Sequence, residues 1–179
     1  MLGFSIRKKT DTNKLSNIFV NSLIEVVENG FQDVIEMIND DAVFVTEPVI
    51  PSNAKQQFLL ILIVGNLEFL REGFEDYDIE DIELAIIQKF ANIYGKSESE
   101  FSSLLTKTTE YIAHYNFPSK NILYGMSKAI FRKFKLSEHQ ESYFKTQNTP
   151  NPLFIKRMDE VLINFIWDWS VFLKKYKLQ

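Results

Sequence analysis

Seven apolar residues in succession, Phe58-Leu59-Leu60-Ile61-Leu62-Ile63-Val64, set the strongest limit on what this chain can become. The run falls well short of the roughly 20 residues that span a bilayer as a helix. Pro48 and Pro51 exclude helix just before it, and Ser52 supplies an N-cap, so the pattern predicts a helix near 53–72. A helix that is apolar on every side has to be covered on every side. Other helices are therefore expected to surround this one. Only 6 Gly and 5 Pro interrupt the 179 residues, which favours long helices over a turn-rich β fold.

Apolar residues recur at helical spacing along most of the remaining chain. Leu15, Ile18, Phe19, Leu23, Val26 and Val27 share one face of a first helix, capped by Asp11 or Thr12 and ended by Gly30. A short second helix then runs from Phe31 to about Asn39. Ala42 to Thr46 reads as a loop with a strand-like stretch that has no evident pairing partner. Gly65, inside the central helix, predicts the close approach of a neighbouring backbone. Further buried faces follow at Ile79-Ile82-Ile86-Phe90, at Phe101-Leu105-Thr108-Ile112 and at Leu123-Met126-Ile130-Phe134, and Ser137 opens a short helix.

Asn151-Pro152 is a strong start signal for a long C-terminal helix near 152–177. The expected fold is an all-α, single-domain bundle of about six to seven helices over residues 11–179, behind a flexible N-terminus at 1–10. Residues 85–90 (AIIQKF) echo residues 129–134 (AIFRKF), and the capping patterns Ser97-x-x-Glu100 and Ser137-x-x-Gln140 follow them. The gap to the capping pattern differs between the two, so the echo reads as common helix punctuation and not as a repeat.

Charge divides the chain. Residues 1–100 hold 8 Lys and Arg against 18 Asp and Glu, a balance of −10. Residues 101–179 hold 12 against 6, a balance of +6. Such asymmetry marks either a binding surface or an acidic half packed beside a basic half, and the second explanation needs no partner. The absence of cysteine removes disulfides and thiolate metal sites and suits a reducing compartment, so a cytoplasmic protein without a transmembrane segment is expected.

Chemical signatures are sparse. Neither of the 2 histidines has the Glu-x-x-His spacing of a di-iron bundle, and Asp76-x-Asp78-x-Glu80 lacks the glycine and the final glutamate of a calcium loop. No metal and no cofactor are expected. Glu110 and His114 stand one helical turn apart, on the side opposite Phe101, Leu105 and Ile112, which suits an exposed pair better than a catalytic one. No catalytic residue is assignable, and the reading leans away from an enzyme.

Two surfaces carry the expectations for binding. Lys128, Arg132 and Lys135 form a basic stripe that would suit an anion, although nucleic acid and anionic lipid are disfavoured for lack of interleaved aromatics. In the last helix Trp167, Val171, Ile163 and Leu153 form a second apolar set beside the main stripe of Phe154, Met158, Leu162, Phe165, Trp169 and Phe172. Trp167 needs cover from its own chain or from a partner. The leading expectation is a non-catalytic helical domain acting through protein–protein contact, including self-association as a homodimer. The alternatives are a small-molecule binder with an aromatic-lined apolar pocket, and an enzyme built on carboxylates.

Overall fold

The computed structural model describes residues 8–73 and 78–178, and the chain forms a single all-α bundle. Its helices are α1 (Thr12–Asn39), α2 (Ala54–Gly73), α3 (Asp78–Ile93), α4 (Glu98–Asn116), α5 (Ile122–Lys133), α6 (Ser142–Thr146), α7 (Pro152–Leu162) and α8 (Trp169–Lys175). Single 3-10 turns at Leu136–His139 and Ile163–Phe165 join the later elements. The flexible N-terminus expected at 1–10 lies outside the described residues as far as residue 7. Lys8–Thr10 (β1) pairs in parallel with Tyr176–Leu178 (β2). The acidic run is also cut, since Asp76 lies outside the described residues.

α2 is the central helix its sequence predicts. Residues 61–67 are buried without a break, and the helix packs against α5, α4, α8, α1 and α3. Continuous burial of that kind is what an all-round apolar helix requires. Gly65 does accommodate a close neighbour, but that neighbour is a side chain and not a backbone. A Cβ built there would lie 2.2 Å from Met126 Sδ on α5. Capping proceeds as the sequence indicates: Asp11 accepts from Lys14 N at 2.6 Å, Ser97 and Glu100 close a capping box, and Asn151 accepts from Leu153 N.

Three expectations are corrected. Gly30 does not end the first helix, because α1 runs unbroken through it to Asn39. The reason for glycine is contact: a Cβ at Gly30 would meet Phe165 Cζ at 3.0 Å. The strand-like stretch has a partner after all, since Phe44 bridges Gln140 in antiparallel fashion and Val45 N donates to His139 O at 2.8 Å. Gln140 is no capping-box residue. Its buried amide donates to Thr149 O and accepts from Asn151 N, fastening the turn before α7.

The long C-terminal helix expected over 152–177 is also broken. α7 stops at Leu162, the backbone turns over at 163–168, and α8 starts at Trp169. Neither glycine nor proline marks the break. Asn66, wholly buried on α2, causes it by binding the freed backbone: Asn66 Nδ2 donates to Phe165 O at 3.1 Å, and Asn66 Oδ1 accepts from Trp167 N at 2.7 Å. Asp168 then accepts from Val171 N at 2.9 Å and restarts the helix. The turn folds α8 back across the bundle, so that Trp169 Nε1 reaches Asn66 O at 2.9 Å.

Candidate functional site

The break decides the fate of the apolar set on the last helix. Trp167 is half-buried among rings of its own chain, with Phe19 at 5.8 Å, Phe172 at 5.2 Å and Trp169 at 6.3 Å between centroids. Leu153, Ile163 and Val171 remain about 60% exposed, each on a different stretch of the chain: the first turn of α7, the 3-10 turn and α8. The fold therefore separates residues that a continuous helix would have aligned, and Trp167 is drawn inward.

The basic stripe gains a feature that the sequence reading did not find. α5 carries Lys128, Arg132 and Lys133 and no acid. α4 runs alongside and contributes Tyr111 and Tyr115, whose rings meet edge to face at 4.9 Å. Each base lies over a tyrosine: Lys128 Nζ is 4.3 Å from the Tyr124 centroid, Arg132 Cζ is 5.3 Å from Tyr115, and Lys133 Nζ is 4.2 Å from Tyr111. The interleaving aromatics are present in space, supplied by a neighbouring helix. Such cation–ring contacts hold flexible basic side chains in place and are worth on the order of 0.5–1 kcal/mol each when exposed. Only Tyr124, four residues before Lys128, was legible as an i, i+4 neighbour.

Members of the stripe differ in what they are free to do. Arg132 is committed to structure: its guanidinium donates to both the side chain and the carbonyl of Asn148, a residue in the left-handed region at φ 48°. Lys135, at φ 57°, stands exposed just past the helix end. Tyr111 has its phenol pushed up to about 12 by burial and by the neighbouring Tyr115, so it stays a neutral hydroxyl at neutral pH.

Other polar groups are used structurally. Asp41 is 8% exposed and takes a bidentate contact from Arg157, with Nε to Oδ2 at 2.7 Å. Ser127, fully buried on α5, donates to Asp159 on α7, and burial raises the Asp159 carboxyl above its ordinary value. Glu110 and His114 are both exposed, and His114 packs edge-on to Tyr115 at 4.8 Å. Among the described residues no three His, Asp or Glu side chains gather as a metal-holding group.

Several clefts indent the surface. One of about 330 Å³ lies between α2, α3 and α4, where Arg71 bridges Glu68 and Glu83 above Leu67 and Leu105. Another of about 590 Å³ lies between α1 and α7, with Glu25 and Asp33 beside Val34, Val161 and Phe165. No helix among the described residues is long and apolar enough to cross a membrane. Comparison with protein-family models, curated proteins and solved structures finds no match.

Proposed function

We propose that this chain is a non-catalytic helical binding domain that docks acidic protein segments on the tyrosine-lined basic face of α4 and α5. The observation that carries the reading is the row of three cation–ring pairs, Lys128 on Tyr124, Arg132 on Tyr115 and Lys133 on Tyr111. Bases already held on rings lose less freedom when a carboxylate arrives, and the neutral Tyr111 hydroxyl adds a hydrogen-bond donor. The buried acid Asp41 is already spent on Arg157, which argues against catalysis by a carboxylate there.

An acidic protein segment fits better than nucleic acid. The whole chain carries −4, a field that opposes a polyphosphate at long range. Bases also cover one face of Tyr111, Tyr115 and Tyr124, which hinders the stacking that single strands require. The test is fluorescence anisotropy with a labelled glutamate-rich peptide at low and moderate salt. The peptide should bind, weaken as salt rises, and weaken further with Lys128→Gln/Lys133→Gln. Failure to bind at low salt overturns the reading, as does tighter binding of a single-stranded oligonucleotide under the same conditions.

A further inference from the structure

Charge asymmetry along this chain is not resolved by pairing within it. Of the five ion pairs among the described residues, three join residues of the first hundred: Lys55–Glu28, Arg71–Glu68 and Arg71–Glu83. Lys145–Glu138 lies wholly in the basic part, and Arg157–Asp41 alone crosses between the two. The acidic part does pack beside the basic part, since α2 meets α4, α5 and α8 and α3 meets α4, but among the described residues Arg157–Asp41 is the one close ion pair that crosses between them. The acids of α1 are exposed, and Lys128, Arg132 and Lys133 are half-buried on the surface of α5.

The acidic face has a definite location. α1 exposes Glu25, Asp33 and Glu36 within about 80° of one another at 100° per residue, and Asp40 caps the same stripe. Among the described residues none of these four acids forms an ion pair. Glu25 and Asp33 also line the α1–α7 cleft of about 590 Å³, beside Val26, which is 41% exposed. Part of the acidic stripe therefore lines a groove of mixed polar and apolar residues. From Glu25 to Glu36 the stripe is about 16 Å long, at 1.5 Å per residue. The bases of α5, from Lys128 to Lys133, span about 8 Å by the same measure.

We infer that the acidic α1 stripe of one copy docks on the basic α4–α5 face of another, giving head-to-tail self-association. This rests on the binding face proposed above and names its partner as a second copy of the chain. Charge signs match, the bases fit within the length of the acidic stripe, and among the described residues none of the acids or bases on these faces forms an ion pair. The contact joins two different surfaces, so it is heterologous and does not close on itself at two copies unless the geometry permits a ring. Apolar groove residues supply contact area, and the charges set orientation and salt dependence.

Two charge-reversal variants test this by sedimentation velocity at low salt. Lys128→Glu/Lys133→Glu removes the basic face, and Glu25→Lys/Asp33→Lys removes the acidic one. Wild type should sediment faster as concentration rises, and each variant alone should remain monomeric. An equimolar mixture should form a complex, because each variant retains the face the other has lost. A monomeric wild type, or a mixture that stays monomeric, overturns the inference. Circular dichroism checks folding, and glutamine variants at the same positions replace any reversal that unfolds.

The glutamate-rich peptide separates the two readings. Glu25→Lys/Asp33→Lys should bind it at least as well as wild type does. Peptide binding without self-association removes only the head-to-tail contact. Loss of both removes the basic face as a binding site too.

Discussion

Asn66 in the middle of α2 holds Trp167 by its backbone, accepting the Trp167 N–H at 2.7 Å through a side chain with no solvent exposure. The same amide donates to Phe165 O and to Leu62 O, and the Asn66 carbonyl accepts Trp169 Nε1. A helix break inside a bundle frees backbone groups that burial would penalise, and here one residue satisfies them. That network turns α8 back on the bundle and places Trp167 among its own chain's rings.

Asn66→Ala should therefore cost about 3 kcal/mol, since it strands buried partners instead of merely removing a bond. Urea denaturation followed by circular dichroism gives the number. A loss below about 1 kcal/mol would mean that water or a shifted backbone replaces the amide. Near-ultraviolet dichroism should change as well, because Trp167 loses its anchor while Trp169 keeps the backbone carbonyl of residue 66.

Two glycines on the α2–α5 and α4–α5 contacts should differ in sensitivity. At Gly125 a Cβ would lie 2.9 Å from Asn116 Cγ and 3.0 Å from Asn116 Cβ, an atom fixed to the backbone of α4. At Gly65 the obstacle is the flexible end of Met126. Gly125→Ala should destabilise by about 2 kcal/mol through forced separation of the helices. Gly65→Ala should lose less, because Met126 can change rotamer and alanine gains about 1 kcal/mol of helix propensity. Equal losses in thermal melts would contradict this.

These glycines also show why the fold was only partly legible. α2, the Ser97–Glu100 capping box and the Asn151-Pro152 start depend on neighbours in sequence, and each could be read from the chain. Gly30 and Gly65 are small because of Phe165 and Met126, which lie far away in sequence, so their local reading misled or stayed incomplete. The break at 163–168 depends on Asn66, about a hundred residues earlier, and leaves Asp168 as its one local trace. The binding face was half visible: α5 supplied the bases, but α4 supplies Tyr111 and Tyr115 through packing that no spacing rule displays.

Asp159 gives the fold a pH dependence. Burial raises its carboxyl above the ordinary value, with adjacent Glu160 adding to the effect and the Ser127 hydrogen bond opposing it. A raised folded value means that the folded state holds the proton more tightly than the unfolded chain does. This contribution is complete below the unfolded carboxylate range and is lost as pH rises through the folded value. Asp159→Asn keeps an acceptor for Ser127 and removes the ionisation. The variant should be more stable than wild type at neutral pH, with the gap closing in acid. Denaturation curves at a series of pH values check this, and a gap that widens in acid reverses the sign.

Arg132 and Lys128 should separate folding from binding on the same face. Arg132 donates twice to Asn148 and so fixes the left-handed turn between α6 and α7, whereas Lys128 lies over Tyr124 with no hydrogen-bond partner among the described residues. Arg132→Lys keeps the charge but loses the planar fork, because a single ammonium cannot reproduce two guanidinium contacts of fixed geometry. It should lower stability by about 1 kcal/mol, the worth of a typical hydrogen bond, while leaving affinity for a glutamate-rich peptide nearly unchanged. Lys128→Gln should do the reverse: its melting curve should overlay that of wild type, and the peptide should bind more weakly with a shallower salt dependence. Anisotropy titrations and thermal melts on the same two samples supply all four numbers. If Lys128→Gln binds the peptide as tightly as wild type, the basic row is a solvated helix face and not a binding surface. If Arg132→Lys weakens binding as much as Lys128→Gln does, the guanidinium itself contacts the carboxylates and the division of labour between the two residues is wrong.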